Sequence, residues 1–160
     1  MATSNYLLKI DGIPGESTDA KHKGEIEVLS WSWGETQQIA ASPGGGAGTG
    51  KVAMTDLQVS TNLSKASPQL LLACASGQHI KSAVLTGRKA GKGQQEYLAF
   101  SLSDVLVSGY QTGAVTAEVP LDSISLNFSK IEMTYREQKA DGSLAPPIRV
   151  GWDRKTNKAF

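Results

Sequence analysis

Four stretches of the chain alternate apolar and polar residues with the period of a β-strand, and in each the apolar set changes parity partway along. Ile124, Leu126 and Phe128 share one parity, whereas Ile131, Met133 and Tyr135 take the other. The same change separates Ile26 and Val28 from Leu29, Trp31 and Trp33; Val52 and Met54 from Leu57 and Val59; and Leu98, Phe100 and Leu102 from Val105 and Val107. Successive side chains of a strand point to opposite faces, so a parity change carries the apolar set across the sheet unless a bulge or sharp coil intervenes. Long bent strands produce such changes in a small barrel or in two packed antiparallel sheets, because the strands turn corners and serve two sheets in turn. The other explanation is that part of the apolar set lies outside and awaits a partner subunit.

Tyr6, Leu8 and Ile10 define a first strand, which Asp11-Gly12 and Pro14-Gly15 break. A second apolar segment runs over about 24–37 and gives way to a glycine-rich stretch from Gln38 to Gly50, expected as an extended loop. Strand character resumes over Lys51 to Asn62. The pattern then predicts one short helix, with Ser67 as N-cap, Pro68 at the first helical position and Gly77 closing it. Leu70, Leu71, Cys74 and Ala75 would form its apolar face against an end or side of the barrel. Strands near 79–88 and 95–103 bracket Lys89 to Gln94, an exposed hairpin turn. After Ser108-Gly109-Tyr110 and Thr112-Gly113 come a long run over 120–138, a turn at Asp141-Gly142-Ser143 and a last strand through Ile148, Val150 and Trp152. The expected fold is mainly β: a small bent-strand β-barrel of two packed antiparallel sheets, one short flanking α-helix and the extended loop 38–50. It forms a single domain over 1–160 with a tail at 153–160.

A length of 160 residues suffices for one hydrophobic core. With 39% hydrophobic and 19% charged residues and a net charge of +1, the composition gives no general pull towards nucleic acid or an acidic membrane. The most apolar run, Leu70 to Ala75, falls far short of the roughly 20 residues a membrane-spanning helix needs, so no membrane insertion is expected. Met1 to Asn5 lacks the basic start and apolar stretch of a secretory signal; the expectation is a cytosolic chain, or one that leaves without a cleaved signal. A single cysteine, Cys74, excludes an internal disulfide framework and fits a reducing compartment of origin.

Candidate chemistry is thin. Gly45-Gly46-Ala47-Gly48-Thr49-Gly50-Lys51-Val52 has the glycine and lysine spacing of a phosphate-binding P-loop, but Val52 stands where a Ser or Thr hydroxyl should meet magnesium. The stretch from Val52 to Asn62 alternates like a strand instead of opening a helix, so an arm-like loop is the better reading. His22 and His79 have no second ligand at metal spacing and read as structural or surface residues. Glu25 and Glu27 sit two apart, as on any solvated strand face. No G-x-S-x-G stretch offers a hydrolase nucleophile, and Cys74 reads as packing. Arg88, Lys89 and Lys92 suit a soluble hairpin tip better than a phosphate site. No catalytic residue, metal or cofactor is expected.

Three long ordered segments nevertheless carry a resemblance: Tyr6-Leu7-Leu8-Lys9-Ile10-Asp11-Gly12-Ile13-Pro14-Gly15-Glu16-Ser17, then His22-Lys23-Gly24-Glu25-Ile26-Glu27-Val28-Leu29-Ser30-Trp31-Ser32-Trp33-Gly34, and Leu121 to Ile131. Together with Ser64-Lys65-Ala66-Ser67-Pro68, Gly151-Trp152-Asp153 and Asn157-Lys158, they make the chain resemble the Hcp family, the haemolysin-coregulated proteins of the bacterial type VI secretion system tube. The resemblance implies a compact barrel that associates with itself into hexameric rings, stacks into a hollow tube, carries effector proteins in the lumen and meets the sheath and the spike and baseplate proteins. It implies a protein that is cytoplasmic before firing and then secreted or delivered. It also suggests subunit and stacking contacts on the arm, at Gln38, Ile39, Gly44, Gly45, Gly46, Gly48, Gly50 and Lys51. Ser108, Gly109 and Tyr110 would face the lumen and its cargo. Two other readings stay open at this point: a monomeric barrel binding a small ligand in its mouth, and a nucleotide-binding enzyme using Gly45 to Lys51.

Overall fold

The alternating segments become strands that curl until the sheet meets itself. The computed structural model describes residues 5–41, 47–90 and 93–160. In chain order the elements are β1 (Tyr6–Ile10), β2 (Ile26–Ser32), β3 (Glu35–Ala41), β4 (Ala47–Met54), β5 (Leu57–Asn62), α1 (Ser67–Ser76), β6 (Ile80–Arg88), β7 (Glu96–Gly113), β8 (Leu121–Tyr135), β9 (Ile148–Asp153) and β10 (Lys158–Ala159). Six strands run in the spatial order β8-β5-β2-β1-β6-β7, and β7 pairs back with β8 to close a barrel. β9 and β10 extend the sheet beyond β8, and β3 with β4 form a separate two-stranded ribbon. Leu8, Ile26, Val28, Leu57, Val59, Leu85, Leu102, Val105, Ile124, Leu126 and Phe128 point inward and fill the interior. Closure removes the open edges that a sheet of this size would otherwise present.

The four parity changes have three physical causes. On β7 and β8 the change is concerted: the register runs unbroken from Leu98↔Tyr135 to Val107↔Leu126, and both apolar sets switch face at the same level. Asp104 lies there with φ +54°, a left-handed backbone that coils the strand. On β2 the register against β5 shifts between Val28 and Ser30, making Leu29 the extra residue of a bulge. Alternation alone groups Leu29 with Trp31 and Trp33, but Leu29 is 54% exposed while both tryptophans pack on the core. Between Met54 and Leu57 the chain simply leaves one sheet and enters another.

The helix forms where expected, with two corrections. Ala66 is the N-cap, no side chain caps it, and Ser67 sits one residue inside. The Ser67 hydroxyl is engaged elsewhere: it donates to the buried Asp122 carboxylate and accepts from the Ser64 N–H at 3.0 Å. The buried stripe is Ser67, Leu70 and Ala73 with Cys74 half-buried, whereas Leu71 and Ala75 face solvent. Gly77 ends the helix as expected, at φ +64°. No described helix is long and apolar enough to cross a membrane.

The glycine-rich stretch takes the form of a paired ribbon over much of its length. Glu35↔Met54 through Gln37↔Val52 and Ile39↔Thr49 through Ala41↔Ala47 are in register, with one irregularity between Gln37 and Ile39.

Candidate functional site

Past the bend at Asp104, the apolar side of β8 loses its cover. Met133 pairs with Val150 and Tyr135 with Ile148 on β9, so four apolar side chains stand together on one face. Met133, Val150, Tyr135 and Ile148 are 44%, 67%, 41% and 64% exposed, respectively. The same row begins at Ile131, which is buried against the core opposite Trp152. On its outer edge β9 meets β10 only at Trp152 and Asp153, which leaves Ile148 to Val150 without a strand neighbour there among the described residues. Removing such side chains from water is worth ~1–2 kcal/mol each. Met133 and Tyr135 belong to the second parity set of β8, the one that follows the coil at Asp104.

The ribbon leaves the barrel at Gly34 and Thr55, which clasp each other: the Thr55 N–H donates to the Gly34 carbonyl at 2.9 Å, and the Gly34 N–H to Thr55 Oγ1 at 3.0 Å. Ile39 is 71% exposed, and Gln38 and Lys51 are also exposed. Gly50 has a structural reason to be glycine, since a Cβ there would lie 2.5 Å from the Gln38 carbonyl oxygen. Gly48 pairs with Ala40 in the strand, while Gly44, Gly45 and Gly46 lie outside the described residues. Thr49, Gly50 and Lys51 are extended strand, and the chain continues into β5 without a helix. The strand-to-helix turn of a phosphate-binding loop is therefore not formed.

Ser108 and Gly109 sit at a register shift between Val107 and Gly109. Ser108 Oγ donates to Asp56 Oδ2 at 2.5 Å, Asn127 Nδ2 donates to Asp56 Oδ1 at 2.8 Å, and Ser125 Oγ donates to Gln58 Oε1 at 2.7 Å. With Gln111, Ser123 and Ser60 in register alongside, this face is small, polar and nearly uncharged. Tyr110 turns the other way. It packs on the core and its hydroxyl donates to Asp122 Oδ1 at 3.1 Å; burial pushes that phenol's pKa up.

The ionisable groups are used for fastening. Asp104 accepts from Ser129 Oγ at 2.6 Å and Lys155 Nζ at 2.9 Å and faces His79 Nδ1 at 3.2 Å. The Ser129 hydroxyl first, then Lys155 and His79, hold its carboxyl well below the usual carboxylate range. Tyr97 is pushed up to about 12 by its hydrogen bond with Tyr6 and by burial. Arg88 is not at an exposed tip: its side chain is 2% exposed and Nη1 donates to Asp19 Oδ2 at 2.8 Å. Lys89 lies over the Tyr97 ring, and Lys92 is outside the described residues. Glu25 turns to His22 while Glu27 is exposed, so the two carboxylates do not form a pair. His79 is a surface residue and His22 a buried one. Among the described residues, no group of three or more His, Cys, Asp or Glu is placed to hold a metal ion. The Arg88–Asp19 pair is invisible in the sequence because its members are 69 residues apart.

A closed barrel with a filled interior, a projecting ribbon and an uncovered apolar sheet face belongs to the class of proteins that act through their surfaces. A family model described as type VI secretion system effector, Hcp, matches residues 7–135. The chain is 43% identical over 156 residues to Protein hcp1 of Pseudomonas aeruginosa, covering 96% of each. It superposes on the crystal structure of Hcp1 from Salmonella typhimurium with a TM-score of 0.77 at 35% identity, covering 97% of both chains. A structure described as a type six secretion system protein gives a TM-score of 0.91 at 30% identity, covering 97% of this chain and 98% of that one. The chain belongs to the Hcp family of the type VI secretion system, whose members are structural secretion proteins.

Proposed function

We propose that this protein is a tube subunit: six copies close into a ring, the rings stack into a hollow tube, and effector proteins travel inside it. The observation that carries this reading is the apolar face of Met133, Tyr135, Ile148 and Val150, which the protein's own fold leaves open. In a head-to-tail ring each copy offers this face to a different surface of its neighbour, and a rotation that closes produces a finite assembly. The ribbon, with Gln38, Ile39 and Lys51 exposed and Gly50 half-buried, serves as the stacking arm, and Gly44, Gly45, Gly46 and Gly48 belong to the same arm in sequence. Ser108 and Gly109, on the nearly uncharged polar face, line the lumen and meet cargo; Tyr110 supports that wall from inside. The sheath and the spike and baseplate proteins are the remaining partners, and the protein is cytoplasmic until the machine fires. Catalysis has no part in this role.

The test is native mass across a concentration range, with negative-stain electron microscopy of the same sample, on wild type and Val150→Asp. Hollow six-fold rings in the wild type, lost in Val150→Asp while the chain stays folded, are the expected result. A wild type that stays monomeric at high concentration overturns the reading.

A further inference from the structure

We propose that the base of the ribbon carries an anion site that takes a phosphate group, between Lys51 of β4 and the turn that follows β9. A cavity of about 270 Å³ opens there, and its lining includes Lys51, Asn127, Phe128, Arg154, Lys155 and Asn157. Among the described residues that lining carries three cations and no carboxylate. Neither Lys51 nor Arg154 forms an ion pair within the described part of the chain. The inference goes beyond the tube reading and does not rest on it, since one copy supplies every one of these side chains.

The barrel side of the cavity is held by the fold itself. The Arg154 N–H donates to the Ser129 carbonyl at 2.8 Å and Nη1 to the Phe128 carbonyl at 3.0 Å, and the guanidinium lies 5.3 Å from the centre of the Phe128 ring. A fork fixed in this way matches phosphate oxygens with its remaining N–H groups. Asp153 Oδ1 receives the Lys155 and Thr156 N–H groups at 2.9 and 3.3 Å, which keeps the turn folded. The carboxylates bonded to this wall are engaged: Asp104 accepts from Ser129 and Lys155, and Asp56 from Ser108 and Asn127. Lys155 is therefore shared, whereas Lys51 and Arg154 keep their charge for a ligand. A carboxylate presents two oxygens in one plane and a single charge. A phosphate presents its oxygens in several directions and reaches the dianion, which suits cations arriving from two separate walls. The lysine of the glycine-rich stretch thus meets phosphate chemistry without the strand-to-helix turn of a P-loop.

The experiment is isothermal titration calorimetry of the full chain at low ionic strength, where exposed charges are least screened. The probes are inorganic phosphate, glycerol 3-phosphate, acetate and a short polyglutamate peptide. We expect one phosphate per chain with a Kd on the order of 1 mM, the strength of a few charge-assisted hydrogen bonds at a partly open site, and weaker binding of acetate. Glycerol 3-phosphate binding alongside inorganic phosphate assigns the site to phosphate esters, and its exclusion assigns the site to the free ion; both support the proposal. Lys51→Gln should weaken phosphate roughly tenfold, the effect of losing one such contact, and Arg154→Gln at least as much. Arg154 also ties the turn to β8, so the exposed Lys51 decides the matter if Arg154→Gln fails to fold. No saturable phosphate binding, phosphate binding that Lys51→Gln leaves unchanged, or polyglutamate bound in preference to both phosphate probes overturns the proposal.

Discussion

The two halves of β8 obey the same alternation and meet different fates. From Asp122 to Leu126 the strand lies between β5 and β7; Ile124, Leu126 and the following Phe128 are at most 2% exposed, and the outward Ser125 and Asn127 hydrogen-bond their neighbours. From Lys130 to Tyr135 it lies between β7 and β9, and after Ile131 the same apolar face loses its cover, leaving Met133 and Tyr135 partly exposed. The pattern of residues is equivalent in both halves. What differs is whether the sheet has curled back over them, and the coil at Asp104 marks the boundary. Alternation thus reports that a face is to be buried, and closure decides whether the same chain does the burying.

Substitutions that break this contrast run from large to small. Leu126→Ala, in the closed half, should cost about 3 kcal/mol through the cavity it leaves, read as a lower denaturant midpoint with unchanged slope. Tyr110→Phe keeps the ring but strips a donor from buried Asp122; about 1 kcal/mol is expected in the same assay. At the boundary, Asp104→Asn should destabilise the chain at neutral pH, and the difference from wild type should vanish in acid. The depressed carboxyl stabilises the fold above the ordinary carboxylate range, and that contribution is lost as pH falls through its lowered value. The variant's stability should therefore depend less on pH in acid than the wild type's, measured by denaturation at a series of pH values. Met133→Ser, in the open half, should change the stability of the isolated chain by no more than about 0.5 kcal/mol while weakening self-association in native mass measurements. If Met133→Ser destabilised the isolated chain as much as Leu126→Ala, the two halves would not differ as described.

The barrel is legible in the sequence because its signal is local: the parity change at Leu102/Val105 and at Phe128/Ile131 is written in adjacent residues. Its causes are not, since a left-handed Asp104, a bulged Leu29 and an exit at Thr55 leave the same trace in the pattern. The helix face is ambiguous because the helix from Ser67 to Ser76 is apolar nearly all round, so Leu71 and Ala73 compete for the same stripe on sequence alone. Ser67 looks like a cap because the serine-proline step signals one, but the barrel claims its hydroxyl for Asp122. The uncovered face is half visible, in Met133 and Tyr135. Its other half depends on the register of β9, which no short-range pattern encodes.

That register has a temporal consequence. β7 and β8 are joined by the short connection 114–120 and can zip as a hairpin, whereas Ile148 and Val150 reach Tyr135 and Met133 only after the connection 136–147 has been made. Chains emerge from the ribosome N-terminal end first, and local pairings form ahead of those that must close longer loops. The open apolar face is therefore completed after the barrel strands that precede it in the chain, which shortens the time during which a half-folded copy displays it whole.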